Sequence, residues 1–194
     1  MQTGWQDIGS GKSRYYYFDA NGALLVTTDT KGCNHGILVL APQHYNFSGQ
    51  GNVRYYNIAG SRYSSTIRNG ATLWNNATNL MNITEGNASN WNFLFQEEAL
   101  GDGVVARTYM NVRRNYVTSP SSLTANWTTS RISFNPSSTP VSTTGAHEIG
   151  DVMGLSHHTD LRYLYRYGIM YPYSNNSRKT TIYDVNVLGH LFEN

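Results

Sequence analysis

The sequence predicts an α+β fold, in which strands are segregated from a small number of helices. Short apolar runs bounded by Gly, Asn and Ser dominate the first two thirds of the chain and indicate strands. Apolar residues at helical spacing occur once among these strands and again near the C-terminus, on either side of a helical segment rich in ionisable residues. At 194 residues, the chain is long enough for one well-buried domain of ordinary size.

The N-terminal segment differs from the rest in its aromatic strands. Residues 4–8 and 14–18, joined by a Gly-Ser-Gly-Lys turn, predict a β-hairpin, and a second turn is predicted at 19–22. Over about residues 4–27 the segment resembles one unit of the aromatic cell-wall-binding repeats, which implies cell-wall carbohydrate or choline as a ligand. An ordinary aromatic hairpin is the alternative. We assign residues 1–32 to this hairpin and its linker, and 33–194 to the main domain.

The elements of the main domain follow in the order strands, helix, strands, helix, loop and helix. Strands are predicted at 37–40, 53–58, 91–96, 104–110 and 131–134, each bounded by Gly or polar turn residues. A helix is predicted over 64–76 because Ile67, Ala71 and Trp74 recur with helical period, and Ser64 or Ser65 is its expected N-cap. A last helix is predicted over 182–192, where apolar residues share one face.

Composition argues against a highly charged partner. The 14 Lys and Arg nearly balance the 12 Asp and Glu, and no stretch concentrates basic residues, so neither nucleic acid nor an acidic membrane surface is predicted as a partner. No apolar run approaches the ~20 residues that cross a bilayer. The neutral polar composition is typical of secreted and surface-exposed proteins. We therefore expect a secreted or cell-surface protein of bacterial type, with its signal peptide upstream of this sequence.

One segment near the C-terminus combines ionisable residues at helical spacing. Positions four apart project from the same face, so His147 and Asp151 can bind one metal ion while Glu148 points toward a bound water. Gly154 tolerates the left-handed conformation that ends a helix, which brings His157 back as a third ligand. Three protein ligands leave the fourth position of a tetrahedral Zn²⁺ ion open to water, as in catalytic sites.

This arrangement predicts metal-assisted peptide hydrolysis. Zinc lowers the pKa of its water to about 7. Glu148 would accept a proton from that water, direct the attack on a polarised amide carbonyl and return the proton to the leaving amine.

The segment and the sequence after it resemble the matrixins, a family of metzincin zinc peptidases. The shared features are the His-Glu motif with its distal Gly and His, the run Ile169-Met170-Tyr171-Pro172, and a closing helix that contains Asp184-Val185-Asn186. The resemblance covers about residues 36–194. It implies a metzincin-like catalytic domain with a twisted, mixed, mostly parallel sheet of about five strands and three helices.

The resemblance also implies roles for residues outside the metal ligands. Met170 would form a methionine turn beneath the metal, and Pro172 and Tyr173 would line the pocket for the substrate residue after the scissile bond. The segment 104–108, which includes Val105 and Ala106, would be the edge strand that pairs with extended substrate.

The sequence departs from the matrixin pattern at Asp151, where the family has histidine. Aspartate is an accepted zinc ligand, but it is shorter than histidine, and its charge makes the bound water less acidic. We therefore expect weaker zinc binding and slower hydrolysis than at a three-histidine site. His158 stands where matrixins usually carry serine, and neither a second zinc site nor a calcium site has support in the sequence. Iron is also bound by two histidines and a carboxylate, but iron gives no role to Glu148.

Two hypotheses from different classes remain open. In the first, the protein is a secreted or cell-surface zinc endopeptidase that acts on a protein or peptide substrate. In the second, it is a catalytically inactive metzincin domain that binds protein or cell-wall ligands, with the hairpin as the remnant of a carbohydrate- or choline-binding array. Cys33 lies where matrixin propeptides carry a zinc-binding thiol, but its surroundings do not match the inhibitory motif, so a small buried or half-buried thiol is the favoured interpretation.

Overall fold

The computed structural model of the protein describes residues 52–78, 81–112, 114–117, 127–158 and 168–170, together with four strands between residues 4 and 39. For those four strands and for residues 112, 117, 128 and 156–158 the description covers the backbone. The predicted α+β class is confirmed, because a mixed six-stranded sheet and two α-helices make up the described part from residue 52 onward. The predicted helix at 182–192 and the predicted domain boundary at 32/33 lie outside the described residues.

The N-terminal segment forms a small antiparallel sheet of its own. Strand β1 (Gly4–Asp7) pairs with β2 (Tyr15–Phe18) in the register Gly4↔Phe18 to Asp7↔Tyr15, which confirms the predicted hairpin. A third strand, β3 (Leu24–Thr28), continues the sheet beyond β2. The next strand, β4 (Ile37–Val39), confirms the strand expected at 37–40 and lies in a different sheet.

The central sheet contains six strands. Their bounds are β5 Asn52–Asn57, β6 Asn82–Glu85, β7 Phe93–Glu97, β8 Ala106–Val112, β9 Asn115–Val117 and β10 Trp127–Phe134. The spatial order is β6-β5-β7-β10-β8-β9, in which the first three neighbouring pairs are parallel and β8 is antiparallel to both its neighbours. The sheet has one strand more than the five expected. Strands β6 and β9 were not predicted, because they are too brief and polar to show an alternating apolar pattern, and the strand expected at 37–40 lies in a different sheet.

Strand β8 is not the terminal strand of this sheet, but the segment 104–108, where an edge strand is expected, lies before the part of β8 that pairs with its outer neighbour. Strand β9 pairs with β8 at Met110, Asn111 and Val112. Within the described part of the chain, Ala106–Tyr109 has a strand neighbour on one side only, which is β10. Among the described residues, the first half of β8 therefore has an open edge, whereas β9 covers the second half.

Two helices pack on one face of the sheet. These are α1 (Ser64–Ala77) and α2 (Thr144–Val152). Apolar residues of both helices share one buried cluster with alternate residues of the strands, among them Phe93, Phe95, Ile132 and Phe134, which are all fully buried. Burial of such apolar area is the main source of stability in a domain of this size.

Helix α1 confirms the helix predicted over 64–76, but its expected serine N-cap is wrong. The N-cap residue is Tyr63, and no side chain caps the helix. A short 3-10 turn, Ser61–Tyr63, runs directly into the helix, and the backbone N–H of Ser64 donates to the carbonyl of Ser61. Because this turn already supplies a backbone acceptor, the first turn of α1 depends less on a side-chain cap.

The two helices touch where both lack side chains. A Cβ atom on Gly145 would lie 2.5 Å from the carbonyl oxygen of Thr66, and one on Gly70 would lie 2.6 Å from the backbone nitrogen of Ala146. The indole of Trp74 donates a 2.8 Å hydrogen bond to the carbonyl of Ala146. The backbones of α1 and α2 are therefore in direct contact.

Helix α2 ends where the sequence predicted. Its last residue is Val152, and Gly154 takes a φ of 87°, the left-handed conformation that suits glycine. Strand β11 (Leu155–His158) follows and pairs with β4 through Leu155↔Val39 and His158↔Ile37. Neither described helix is long and apolar enough to cross a membrane.

The opposite face of the sheet carries a polar cluster around Arg131. Its guanidinium lies 4.4 Å from the centre of the Tyr109 ring and 4.6 Å from that of Tyr116, and 3.7 Å from Oε2 of Glu98. The hydroxyl of Ser133 donates a 2.6 Å hydrogen bond to the same carboxylate oxygen. The hydrogen bond from Ser133 is the largest effect on the pKa of Glu98 and lowers it. Burial raises this pKa, and the charge of Arg131 lowers it further, so the net shift is downward.

We predict that Gly145→Ala will destabilise the protein. Helix propensity alone would favour alanine, but the new methyl group would overlap the backbone of α1, so the free energy of unfolding should fall by about 1–3 kcal/mol. Urea denaturation measures this change. Gly101→Ala is the matched control, because a Cβ there meets nothing within 4 Å and its effect should stay within about 0.5 kcal/mol. Equal effects of the two changes would disprove the close helix contact.

We predict that Ser133→Ala will make stability depend less on pH. A carboxyl group with a lowered folded-state pKa stabilises the fold above its unfolded-state pKa, and this stabilisation is lost as pH falls through the folded-state pKa. The substitution should therefore lower the free energy of unfolding more at pH 7 than at about pH 3. Ser130→Ala is the control, because the hydroxyl of Ser130 has no hydrogen-bond partner among the described residues, and its effect should not vary with pH.

Candidate metal centre

Helix α2 carries three ionisable residues that are all buried. His147 is 8% exposed, Glu148 is 6% exposed and Asp151 is 9% exposed. Their spacing places them on adjoining positions of the helix surface. One ligand atom from each lies within 4.8 Å of the other two, so the three residues form a cluster that could hold a metal ion.

The ring of His147 is oriented by a backbone carbonyl. Its Nδ1 atom lies 2.7 Å from the carbonyl oxygen of Ile169. Because a carbonyl only accepts hydrogen bonds, Nδ1 must carry the proton, which leaves the lone pair of Nε2 available to a metal. Such a hydrogen bond is the usual way in which proteins fix the tautomer and the angle of a metal-binding histidine.

The carboxylate of Glu148 is bonded to the central sheet. The hydroxyl of Thr108, in β8, lies 2.7 Å from Oε2 of Glu148 and 3.2 Å from the backbone carbonyl oxygen of the same residue. Thr108 is 5% exposed, so this hydrogen bond is shielded from water. It links α2 to β8 across the core.

Burial dominates the electrostatics of both carboxyl groups. Desolvation raises the pKa of Glu148 to about 7, although the Thr108 hydrogen bond and the charge of Arg107 lower it. Desolvation, followed by the negative charge of Glu148, raises the pKa of Asp151 well above its usual range. Two neighbouring carboxylates that are both charged and buried are costly unless a cation balances them. Either a proton or a bound cation can remove this cost, so the cluster could hold a metal ion.

A turn that contains Ile169 and Met170 packs against α2. Met170 is fully buried, and its sulfur lies so close to Gly150 that a methyl group there would overlap it. Ile169, in the same turn, supplies the carbonyl that orients His147. Residues 169–170 thus contact the helix at two successive turns, through one polar and one apolar interaction.

The structure describes some of the predicted site residues in full, one by its backbone, and others not at all. It brings His147, Glu148 and Asp151 together and places Met170 against α2. His157 lies in β11, at an irregularity in the pairing of β11 with β4. For this residue the structure describes the backbone. Pro172 and Tyr173 lie outside the described residues.

The predicted substrate-binding residues lie at the start of β8. Val105 and Ala106 are half-buried, and the carbonyl of Val105 accepts a 2.9 Å hydrogen bond from the backbone N–H of Asn135. Backbone groups of successive residues in a strand point to opposite sides. Those of Ala106 and Thr108 therefore point away from β10, toward the open edge.

Two contributors to the site were not predicted from the sequence. Thr108 is 40 residues from Glu148, and Ile169 is 22 residues from His147. A lone threonine in a strand carries no signal of such a contact, and a backbone carbonyl carries none at all. Only the strand order and the path of the chain after α2 bring these groups to the helix.

No protein-family model matches this chain, and no curated protein matches it.

We predict that Asp151→Asn will weaken metal binding while it preserves side-chain shape. Losing even an outer hydrogen-bond partner costs about 10–100-fold in metal affinity, so loss of the ligand charge should raise the Kd for Zn²⁺ by at least about 10-fold. Equilibrium dialysis against Zn²⁺ measures this Kd. Asp102→Asn, the same change in an exposed turn, should leave it unchanged. An unaltered Kd in both variants would remove Asp151 from the ligand set.

Proposed function

We propose that the protein is a zinc-dependent endopeptidase of matrixin-like type. His147, Asp151 and His157 would bind Zn²⁺, and Glu148 would act as general base and general acid. The observation that carries this proposal is the convergence of three buried ionisable groups of one helix within 4.8 Å. Buried charges in proteins are paired or coordinate metals, because desolvation of each charge is costly. Buried ionisable groups with shifted pKa values also cluster at functional sites.

The donor set suits zinc. An imidazole nitrogen with its second nitrogen bonded to a carbonyl, together with a carboxylate, is a common part of catalytic zinc sites. Zinc when bound would supply Lewis-acid polarisation of the substrate carbonyl. The proposed third ligand, His157, follows the turn at Gly154, whose left-handed conformation lets the chain leave the helix sharply.

Glu148 is suited to proton transfer. A carboxyl group with a pKa near 7 can both accept a proton from an attacking water and return it to a leaving amine at neutral pH. Its Oε2 atom is already hydrogen-bonded to Thr108, so Oε1 is the oxygen that would face the water.

The first half of β8 offers a means of holding a peptide. Along Ala106–Tyr109, no described strand pairs with β8 on the side away from β10. Backbone N–H and C=O groups at such an edge bind extended peptides by adding a strand, without a requirement for a particular sequence. Because Thr108 lies in this strand and bonds Glu148, a peptide bound there would run beside the proposed base.

Attachment to a cell surface is a separate part of the proposal. The three short antiparallel strands β1–β3 carry the aromatic sequence that resembles cell-wall-binding repeats. We propose that this segment binds cell-wall carbohydrate or choline and so places the peptidase at a bacterial cell surface.

We predict that Glu148→Gln will abolish peptide hydrolysis but keep the metal. The amide retains the size of the side chain but cannot accept the proton, so the rate should fall by about 10²–10⁴-fold. Cleavage of a denatured, fluorescently labelled protein measures the rate, and equilibrium dialysis measures bound Zn²⁺. Wild-type cleavage should stop with a chelator and return when Zn²⁺ is added.

The controls separate the two hypotheses left open by the sequence. A contaminating peptidase would give the same rate in wild type and in Glu148→Gln. Tight Zn²⁺ binding with no cleavage that depends on Glu148 would refute the peptidase and favour an inactive, ligand-binding domain. Absence of Zn²⁺ binding would refute the metal centre itself.

A further inference from the structure

The hydrogen bond between β8 and α2 sets the direction of the Glu148 side chain. A glutamate side chain has several rotatable torsions, and fixing it costs conformational entropy that some contact must offset. Among the described residues, the hydroxyl of Thr108 is the hydrogen-bond donor to this carboxylate, at 2.7 Å from Oε2. The same hydroxyl lies 3.2 Å from the backbone carbonyl of Glu148. It therefore contacts both ends of one residue and restricts the torsions between them.

Thr108 is itself held firmly. Its side chain is buried, it lies opposite Ile132 of β10 in the sheet, and β-branched side chains have few rotamers in a strand. The position of its hydroxyl is therefore determined by the sheet. A buried hydroxyl that donates to a carboxylate also forms one of the stronger hydrogen bonds found in proteins.

We propose that Thr108 is the positioning residue for Glu148 and that its hydroxyl holds Oε2 so that Oε1 faces the reacting water. This inference rests on the proposed peptidase function. Thr108 would not touch the reacting atoms, since its effect is transmitted through the Glu148 carboxylate. Because the backbone of Thr108 belongs to the open edge of β8, the same residue would join substrate binding to the orientation of the base.

Two substitutions test the role of the hydroxyl. Thr108→Val keeps the β-branched shape and removes the donor, whereas Thr108→Ser keeps the donor and removes a methyl group. Misplacement of a catalytic group by about 1 Å can cost on the order of 100-fold in rate. We expect Thr108→Val to lower kcat by at least about 10-fold with KM and the Kd for Zn²⁺ unchanged, and Thr108→Ser to stay within about 3-fold of wild type.

The matched control is Thr129→Val. Thr129 lies on the opposite face of the sheet, in β10, where its hydroxyl accepts a hydrogen bond from Asn111 at 3.1 Å. The same chemical change there should leave kcat, KM and the Kd for Zn²⁺ at their wild-type values. A drop in kcat equal to that of Thr108→Val would show a general effect of losing a sheet hydroxyl and would overturn the inference.

A second measurement does not depend on activity. Crystal structures of wild type and Thr108→Val should show the Glu148 carboxylate in one rotamer in wild type and in several rotamers in the variant. One unchanged rotamer in both proteins would overturn the positioning role, as would an unchanged kcat in Thr108→Val. If wild type itself hydrolyses no peptide with or without Zn²⁺, the proposed function fails, and the positioning role in catalysis fails with it. If wild type is active and Thr108→Val is equally active, only the positioning role fails.

Discussion

The close contact between α1 and α2 is the constraint on which the candidate metal centre depends. Gly70 and Gly145 allow the two backbones to touch, and the Trp74 indole bonds the first turn of α2 through the carbonyl of Ala146. At the other end of α2, the indole of Trp127 donates a 3.2 Å hydrogen bond to the carbonyl of Val152. With hydrogen bonds at both ends, α2 packs against the sheet, and every one of its residues is buried.

This burial explains the chemistry of the cluster. On an exposed helix, water would surround His147, Glu148 and Asp151, and the pKa values of the two carboxyl groups would be ordinary. Pressed against the sheet, they exchange water for a few protein groups, so each polar atom needs a defined partner. Ile169 provides one for the imidazole and Thr108 provides one for a carboxylate. One ligand atom of each of the three residues also lies within 4.8 Å of the other two, which is a spacing that a divalent cation could bridge.

Particular elements show how far sequence patterns reach. The apolar spacing of Ile67, Ala71 and Trp74 predicted the bounds of α1 within a residue or two, because residues three or four apart in sequence share one face of a helix. Its N-cap was predicted wrongly, since the preceding 3-10 turn replaces a side-chain cap and leaves no clear pattern in composition. The strands β6, β9 and β11 were missed because short, polar strands are stabilised by their neighbours more than by their own residues.

The sequence by itself determined the local geometry of the site. Spacing along one helix places His147, Glu148 and Asp151 together, and Gly154 ends that helix because its conformation is costly for other residues. Only the tertiary structure decided which groups meet them. The order of the strands brings the hydroxyl of Thr108 to α2, and the return of the chain to α2 brings the carbonyl of Ile169. Contacts between residues so far apart in sequence leave no local pattern from which they could be predicted.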